Sequence, residues 1–202
     1  MVPLFAIAAA YLIGSIPFGF LLVKKLTGTD VRTTGSGNIG ATNVLRAAGR
    51  AAGVATLLLD AAKGFFAVWL AELLAGGDLR WMTAAALAAV AGHAFPVFLR
   101  FQGGKAVASF VGAFLYLTPL PLVAVLIVFV ITVARTRYIS LGSILGAGTF
   151  PFAVWLISHP PIYVVFAAAA GGAFIIYRHK SNLERLRAGT ENVFRFSRRG
   201  SA

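Results

Sequence analysis

The sequence contains no cysteine and few charged residues. Without cysteine it has neither disulfides nor thiolate chemistry. Acidic residues are scarce, with six Asp and Glu against 18 Lys and Arg. Charged residues make up 12% of the chain, whereas a soluble domain typically carries about 25%. So little polar surface cannot cover a water-soluble globule, and this excludes an ordinary soluble domain.

Long apolar runs take the place of that polar surface. Hydrophobic residues make up 59% of the chain, and the mean hydropathy is +0.85. A helix needs about 20 mostly apolar residues to cross a bilayer. We therefore predict an all-α integral membrane protein, with residues 1–202 forming a single domain. No basic region precedes Val2, so we expect no cleavable signal peptide. Clear spans are 2–23, 54–75, 81–99, 140–158 and 161–177.

The charge-free stretch 106–134 is too long for one span. As a single helix it would reach roughly 43 Å, whereas the hydrocarbon core is about 30 Å thick. Pro119 and Pro121 lie near its middle, and two prolines so close favour a break in the helix. We predict a hairpin of two short helices, 106–118 and 121–134. The total is then seven transmembrane helices.

The basic residues provide a test of this count. With seven spans, the segments 24–53, 100–105, 135–139 and 178–202 share one face of the membrane. That face carries every basic residue except Arg80 on the other face and Lys63 within a span. Because short cytoplasmic loops are enriched in Lys and Arg, we predict an external N-terminus and a cytoplasmic C-terminus.

Residues 35–43, GSGNIGATN, contain the pattern G-x-G-x-x-G of dinucleotide-binding proteins. That pattern must follow a strand and open a helix inside a βαβ unit. Here a membrane span and a polar linker precede it. Asp60, where a ribose-binding carboxylate would fall, lies inside a predicted span. We therefore reject the dinucleotide interpretation.

The glycines of this loop have another explanation. Glycine permits positive φ, so backbone N–H groups can converge on an anion. Arg46 and Arg50 follow at i, i+4 spacing and would face the same side of a helix. The pattern favours a phosphate site. The alternative is a flexible loop beside anionic lipid headgroups.

Two more segments on the basic face carry similar chemistry. GHAFPVFLRFQGGKAVA, residues 92–108, contains His93 and presents Lys105 after a glycine pair. Taken alone, an intramembrane histidine is often a packing residue, and a basic tail often contacts headgroups. All three segments lie on one face, however, which favours a common site. RHKSNLERLRAGTEN, residues 178–192, can place on one helical face Arg178, His179, Asn182 and Arg185.

Asp60 and Lys63 are charged residues inside a predicted span. At i, i+3 spacing they can pair and so reduce the cost of charge within the membrane. We expect a structural ion pair, with a direct role in catalysis as the alternative. Gly64 beside Lys63 would allow another helix to approach closely.

Together the three segments resemble the cytoplasmic motifs of the bacterial membrane acyl-phosphate:glycerol-3-phosphate acyltransferases (the PlsY type). The similarity spans nearly the whole chain, and the motifs are in the family order. One position differs, because the family usually has glycine where this chain has Ala106. A methyl group there would crowd a backbone approach to phosphate.

The resemblance implies a defined reaction. A fatty acyl group moves from acyl phosphate to the 1-hydroxyl of glycerol 3-phosphate, giving lysophosphatidic acid and phosphate. The site would lie on the cytoplasmic face of the bacterial inner membrane, with no cofactor, no metal and no nucleic-acid partner; its partners are the two substrates and the lipid bilayer. Acyltransferases that use acyl-CoA carry His-x4-Asp, but Phe98 occupies the aspartate position after His93.

Loop position and the matched motifs assign the site residues. His93 is the candidate general base, with a substrate phosphate as the alternative. Ser36 is also a conceivable covalent nucleophile, although no base is spaced beside it. The residues expected to bind phosphate or to shape its site are Ser36, Asn38, Thr42, Asn43, Arg46, Arg50, Lys105, Arg178, His179, Asn182 and Arg185.

Two other function classes fit parts of the pattern. A small transporter or channel for an anionic metabolite would also use basic residues beside glycine loops, but the sequence shows no internal repeat and its charges gather on one face. A non-enzymatic lipid-binding scaffold explains the basic face but not the glycine loops.

Overall fold

The computed structural model describes residues 1–194, and this part of the chain contains helices and no strand. Short 3-10 turns occur at Val31–Thr33 and Val97–Leu99, and a π-helical turn at Val154–Ser158. Arg195, Arg198 and Arg199, counted above on the basic face, lie outside the described residues. The α-helices are α1 (Val2–Ser15), α2 (Phe18–Thr27), α3 (Ala41–Ala75), α4 (Leu79–Ala94), α5 (Val107–Leu117), α6 (Pro119–Thr136), α7 (Ile139–Ala153), α8 (Ile162–Arg178) and α9 (Lys180–Arg187).

The predicted all-α membrane architecture is confirmed. Helix α8, which continues into α9 with a bend of 56°, adds a sixth candidate span to those that are long and apolar enough by themselves. Helix α5 is apolar but only 11 residues long. Each predicted span therefore corresponds to an apolar helix, although length alone supports five or six crossings among residues 1–194. The five long stretches are Val2–Thr27, Ala41–Ala75, Leu79–Leu99, Pro119–Thr136 and Ile139–Ser158.

The stretch 106–134 breaks between α5 and α6, where the prolines predict a break. Thr118 leaves the helical conformation, with φ −145° and ψ 69°, and a proline begins α6. Lys105, just before α5, hydrogen-bonds Asn182 in α9. The carbonyl of Arg137, just after α6, accepts the N–H of Phe194 beyond α9. Since the start of α5 and the end of α6 meet at one end of the bundle, the chain reverses direction at Thr118.

The first predicted span is interrupted. Helix α1 ends at Ser15, Ile16 is extended, and α2 begins at Phe18 after a proline. A proline lacks the N–H needed to continue a helix, which accounts for the break. The carbonyl of Ile16 accepts a hydrogen bond from Lys63 Nζ at 2.8 Å. A buried cation on α3 therefore contacts the backbone at this break.

Helix α3 has a kink at Gly49, where φ is 87° and ψ is −179°. The kink folds residues 41–48 back on the rest of the helix. The evidence is the close approach of Leu45 to Gly53, where an added β-carbon would lie 2.6 Å from Leu45 Cβ. Arg46 and Arg50 lie on opposite sides of the kink. The prediction that they share a helical face is therefore wrong, since the helical register does not continue through Gly49.

Helices α3 and α5 approach each other closely. A β-carbon added at Gly64 would overlap the carbonyl oxygen of Ser109, as expected for a glycine that lets a second helix approach. The same contact brings His93, at the end of α4, within 3.1 Å of Ser109 and 3.6 Å of Asp60. The close packing of α3, α4 and α5 thus gathers buried polar groups at the end of the bundle that carries the motifs.

Candidate active site

A polar cavity of about 180 Å³ lies where the three sequence motifs meet. Residues from the start of α3, the start of α5 and helix α9 form its wall, although they are far apart in the sequence. Arg50 and Arg178, which we also expected in the site, are not part of the described lining. The predicted residues that line the cavity are Ser36, Asn38, Thr42, Asn43, Arg46, His93, Lys105, His179, Asn182 and Arg185.

Asn43 holds the GSGNIGATN loop in shape. It is 2% exposed, and its Nδ2 donates to the carbonyls of Val31, Thr34 and Asn38 at 2.9–3.0 Å. Its Oδ1 accepts the N–H of Ser36 at 3.0 Å. Donor and acceptor atoms of the Asn43 amide are therefore used within the loop. Asn43 organises the loop and has no donor left for a ligand.

The loop leads into a helix start at the cavity, while the N–H groups of Ser36, Gly37 and Gly40 are bonded to nearby residues. Gly37 has φ 69°, a left-handed conformation that favours glycine. Helix α3 then begins at Ala41, and both Ala41 and Thr42 line the cavity. The first N–H groups of a helix have no intrahelical partner and carry a partial positive charge. With Arg46 in the same wall, this helix start is suited to an anion.

Arg178 fixes the glycine pair of the second motif. Its Nη2 donates to the carbonyls of Gly103 and Gly104 at 3.1 and 3.0 Å, and its guanidinium lies 5.4 Å from the ring centroid of Phe95. These contacts use Nε and Nη2 of the guanidinium, and Arg178 is not part of the described cavity lining. In the structure Arg178 supports the Gly103–Gly104 turn, whereas the sequence implied a contact with phosphate.

His93 is enclosed by protein groups. It is 3% exposed, and its Nδ1 shares a hydrogen bond with Ser109 Oγ at 3.1 Å. A β-carbon built on Gly104 would overlap Nε2, so that nitrogen is packed against the glycine pair. The N–H of Gly104 donates to the His93 carbonyl at 3.1 Å. Although His93 reaches the cavity wall, its ring is better placed to support the Gly103–Gly104 turn than to remove a proton.

Lys105 carries the charge of the second motif into the cavity. Its ammonium group donates to Asn182 Oδ1, which joins the second and third motifs. Burial, assisted by the nearby positive charge of Arg185, lowers the pKa of Lys105 to about 8. Lys105 is therefore mostly protonated at neutral pH, but it loses its proton at a lower pH than a lysine in water does.

Glu191 is a site residue that our sequence analysis did not single out. Its carboxylate accepts hydrogen bonds from Asn182 Nδ2 and Arg185 Nε, both at 2.8 Å, and from Ser140 Oγ at 3.1 Å. Burial raises the pKa of Glu191, but the bonds from Asn182 and Arg185 outweigh this effect and leave it below the usual value. A carboxylate thus offsets part of the positive charge around the cavity.

His179 offers the cavity an acceptor. Its Nδ1 lies 2.8 Å from the carbonyl oxygen of Ile175. Because a carbonyl only accepts, Nδ1 carries the proton and Nε2 has a free lone pair in the neutral ring. His179 lies past the end of α8, where burial and the charge of Lys105 lower its pKa to about 4. A neutral ring with this tautomer suits a hydroxyl better than the phosphate expected from the sequence.

Other residues that line the cavity were harder to predict as site residues from the sequence. Ser140 and Ser143 are i, i+3 polar residues in the otherwise apolar helix α7, and both line the cavity. Asn192 and Glu191 close the third motif, so their place in that motif was the available signal. Asp60, expected only as half of a structural pair, also reaches the cavity wall.

An apolar groove of about 890 Å³ adjoins the cavity. It runs between α3 and α6, where Val54, Phe129 and Val133 are among its lining residues. Thr42, Leu57 and Phe129 line both spaces, so the groove and the polar cavity share a wall. The arrangement suits a ligand with a charged head and a long apolar chain.

Comparison with known proteins agrees with this geometry. The sequence pattern of the family Glycerol-3-phosphate acyltransferase matches residues 4–189. The glycerol-3-phosphate acyltransferase of Trichlorobacter lovleyi is 50% identical over 194 residues, covering 95% of this chain and 97% of that protein. The protein of the same name from Geotalea daltonii is 47% identical over 189 residues, covering 94% of this chain and 96% of its own.

Solved structures give the same result. PlsY (YgiH), an integral membrane glycerol 3-phosphate acyltransferase, has a crystal structure in its glycerol 3-phosphate form that superposes with a TM-score of 0.90 at 40% identity. Its lysophosphatidic acid form superposes with a TM-score of 0.88 at 39% identity. Each comparison covers 96% of both chains. This chain is therefore a membrane-integral member of the glycerol-3-phosphate acyltransferase family.

Proposed function

We propose that the protein transfers a fatty acyl group from acyl phosphate to the 1-hydroxyl of glycerol 3-phosphate. The products are lysophosphatidic acid and inorganic phosphate. The observation that carries this proposal is the union of a cation-rich cavity with an apolar groove. The glycerol 3-phosphate and lysophosphatidic acid forms of the related PlsY support the acceptor and the product. The acyl-phosphate donor is our extension from the motifs.

Two walls of the cavity supply donors for phosphate. Ser36, the first turn of α3 and Arg46 form one wall, and Lys105 forms the other. Both substrates carry a phosphate group, so the enzyme must offset the repulsion between them when they meet. Fixed positive charge at a site that excludes water is suited to that task.

His179 is assigned to the glycerol part of the acceptor. Glycerol 3-phosphate has hydroxyl hydrogens that need acceptors as well as a phosphate that needs donors. The unprotonated Nε2 of His179 supplies such an acceptor beside Lys105. Arg185 and Asn182 already bond Glu191, so we assign them to shaping this wall.

The apolar groove is assigned to the acyl chain. Its open side lies between membrane-embedded helices, where a fatty chain can enter from the bilayer. An acyl phosphate would then place its carbonyl carbon near Thr42 and Leu57, which line both the groove and the cavity. The absence of His-x4-Asp after His93 fits a donor other than acyl-CoA.

The proposed reaction does not require a covalent intermediate with the protein. The acceptor hydroxyl oxygen attacks the acyl carbonyl carbon, and the bond from that carbon to the phosphate oxygen breaks. Phosphate leaves readily from this mixed anhydride, so no acyl-enzyme at Ser36 is needed. Because His93 is enclosed, we assign the hydroxyl proton to a substrate phosphate oxygen. The protein then contributes mainly positioning and charge.

We also propose that residues 1–202 form one domain with seven spans in the bacterial inner membrane. The N-terminus would be external, and the active site would face the cytoplasm. The reversal at Thr118 supports this count, since it returns the chain to the basic face after α6. The short helix α5 fits if the bilayer thins locally.

The donor is tested with purified protein. Acyl phosphate and glycerol 3-phosphate should give lysophosphatidic acid and release phosphate without coenzyme A, because the leaving group is already activated. Phosphate release and product mass measure the reaction. Turnover with acyl-CoA alone, and none with acyl phosphate, would contradict the proposed donor.

Reporter fusions test the orientation. A reporter fused at Gly77, between α3 and α4, should be external, and one fused after Ala202 should be cytoplasmic, because the basic residues gather on the other side from Gly77. Paired enzymatic reporters that are active on opposite sides of the membrane make the measurement. Both fusions reporting the same side would refute the seven-span topology.

Substitutions in the first loop test its role in phosphate binding. Ser36→Ala removes one donor, which typically costs about 1.5–3 kcal/mol when the partner is charged, or roughly 10- to 100-fold in kcat/KM. Arg46→Lys keeps the charge but loses the planar fork, so a bidentate contact should weaken. Gly37→Val should be most damaging, because valine disfavours φ 69°. Glycerol 3-phosphate kinetics measure all three.

A matched control separates backbone strain from loss of the site. Gly77 has φ 78°, and a β-carbon there would have no neighbour within 4 Å. Gly77→Val therefore imposes similar strain at the opposite end of the bundle and should leave kcat/KM unchanged. Wild-type kinetics in all three loop variants would mean that the loop is only a linker.

The lowered pKa of Lys105 predicts an alkaline limit. Lysine is positive below its pKa and neutral above it, so phosphate attraction should be lost as the pH rises through about 8. The value of kcat/KM for glycerol 3-phosphate should fall above that pH in the wild type. Lys105→Arg stays charged and should lack this limb, whatever its absolute rate. An unchanged alkaline limb in Lys105→Arg would assign the titration to another group.

A further inference from the structure

A buried group of polar side chains extends from the cavity wall into the bundle. Asp60 and His93 line the cavity, whereas Lys63 and Ser109 are not part of the described lining. Lys63 Nζ is 2.8 Å from Asp60 Oδ1, and their side chains are 2% and 3% exposed. His93 Nδ1 lies 3.6 Å from the same carboxylate oxygen and 3.1 Å from Ser109 Oγ. Charges at membrane depth are costly and are seldom kept without a task. The reaction proposed above uses neither Asp60 nor Lys63.

A pair that only fixes helix α3 does not account for these contacts. Asp60 and Lys63 are three residues apart on one helix, so their bond alone joins no second helix. Among the described residues, the contacts of this pair that leave α3 run from Lys63 to the carbonyl of Ile16 and to the ring of Phe18, 5.8 Å from its centroid, and from Asp60 to His93. Asp60 Oδ1 is fully buried and accepts no well-aligned hydrogen bond. Its negative charge is therefore held between Lys63 on one side and His93 on the other.

His93 transmits position to the second motif. Its carbonyl accepts the N–H of Gly104, and its ring fills the space beside Gly104 that a side chain would occupy. Lys105 follows directly and places its ammonium group in the cavity. Arg178 holds the same glycine pair from the opposite side through the Gly103 and Gly104 carbonyls. A shift of the His93 ring would therefore displace the segment that carries Lys105.

We propose that Asp60 is a positioning residue for Lys105 and acts through His93. The charge of Asp60 holds the His93 ring against the Gly103–Gly104 turn, and Lys63 balances that charge. This inference rests on the proposed function, in which Lys105 binds phosphate. A misplacement of about 1 Å can cost up to 100-fold in rate. Loss of the Asp60 charge should therefore raise KM for glycerol 3-phosphate and lower kcat/KM roughly tenfold or more.

Three variants separate positioning from ion-pair stability. Asp60→Asn and Lys63→Met each leave one buried charge unpaired, so both should lower the melting temperature in detergent. The double variant Asp60→Asn/Lys63→Met removes both charges, and replacing a buried pair by neutral residues is often neutral for stability. We expect the double variant to recover the melting temperature but not kcat/KM. A folded double variant with wild-type kcat/KM would overturn the proposal.

Glu72 provides a matched control on the same helix. Its carboxylate accepts a hydrogen bond from Tyr116 of α5, so it also links α3 to α5, but it does not line the described cavity. Glu72→Gln should lower the melting temperature at most and leave KM for glycerol 3-phosphate unchanged. A rise in KM equal to that of Asp60→Asn would show that any weakened α3–α5 contact disturbs the site, which would overturn a specific role for Asp60.

A double-mutant cycle with His93→Gln tests the route. If Asp60 acts through His93, Asp60→Asn should lower kcat/KM in the wild-type background and have little further effect in the His93→Gln background. Full additivity of the two losses would refute transmission through His93. Activity of the wild type with acyl phosphate and glycerol 3-phosphate is measured in parallel. Its absence would reject the proposed function, whereas wild-type activity with an additive cycle would reject the positioning role alone.

Discussion

Inside a bilayer, every backbone polar group and every charge needs a partner within the protein. The described helices meet this demand along their length, and three of the irregular segments that join them come together at one end of the bundle. There Asn43 bonds the GSGNIGATN loop and the segment before it, Arg178 bonds the Gly103–Gly104 turn, and Asn182 bonds Lys105. The candidate site lies at that end because these segments bring N–H groups and cations together there.

The sequence predicts the large features because simple physical rules govern them. Apolar runs define helices in a membrane, and paired prolines break the long stretch at Thr118. The three motifs could also be assigned to one face, since basic residues show a strong side preference. The kink at Gly49 was not predictable, because an isolated glycine in a helical pattern is usually tolerated. That kink alone separates Arg46 from Arg50.

Roles within the motifs were harder to predict than membership of the site. An arginine donates equally well to phosphate and to backbone carbonyls, so sequence does not distinguish the two for Arg178. Only the packing of α8 against the glycine turn shows that its Nε and Nη2 donate to backbone carbonyls there. Glu191 was overlooked for a related reason. A carboxylate is unexpected among cations that are proposed to bind phosphate, and only the structure shows Ser140, Asn182 and Arg185 converging on it.

The proposed acyl transfer from a mixed anhydride would need preorganisation more than reactive side chains, and each motif is ordered by contacts within the protein. Asn43 locks the first loop, Arg178 and His93 lock the second motif, and Glu191 locks the third before any substrate arrives. Because these groups are already ordered, little conformational entropy is lost when substrate binds. Ala106 lies in this ordered region and has a strained backbone conformation. It adopts φ 61°, where an alanine costs about 1–2 kcal/mol. Glycine, which the family resemblance leads us to expect at this position, would adopt this φ without that cost.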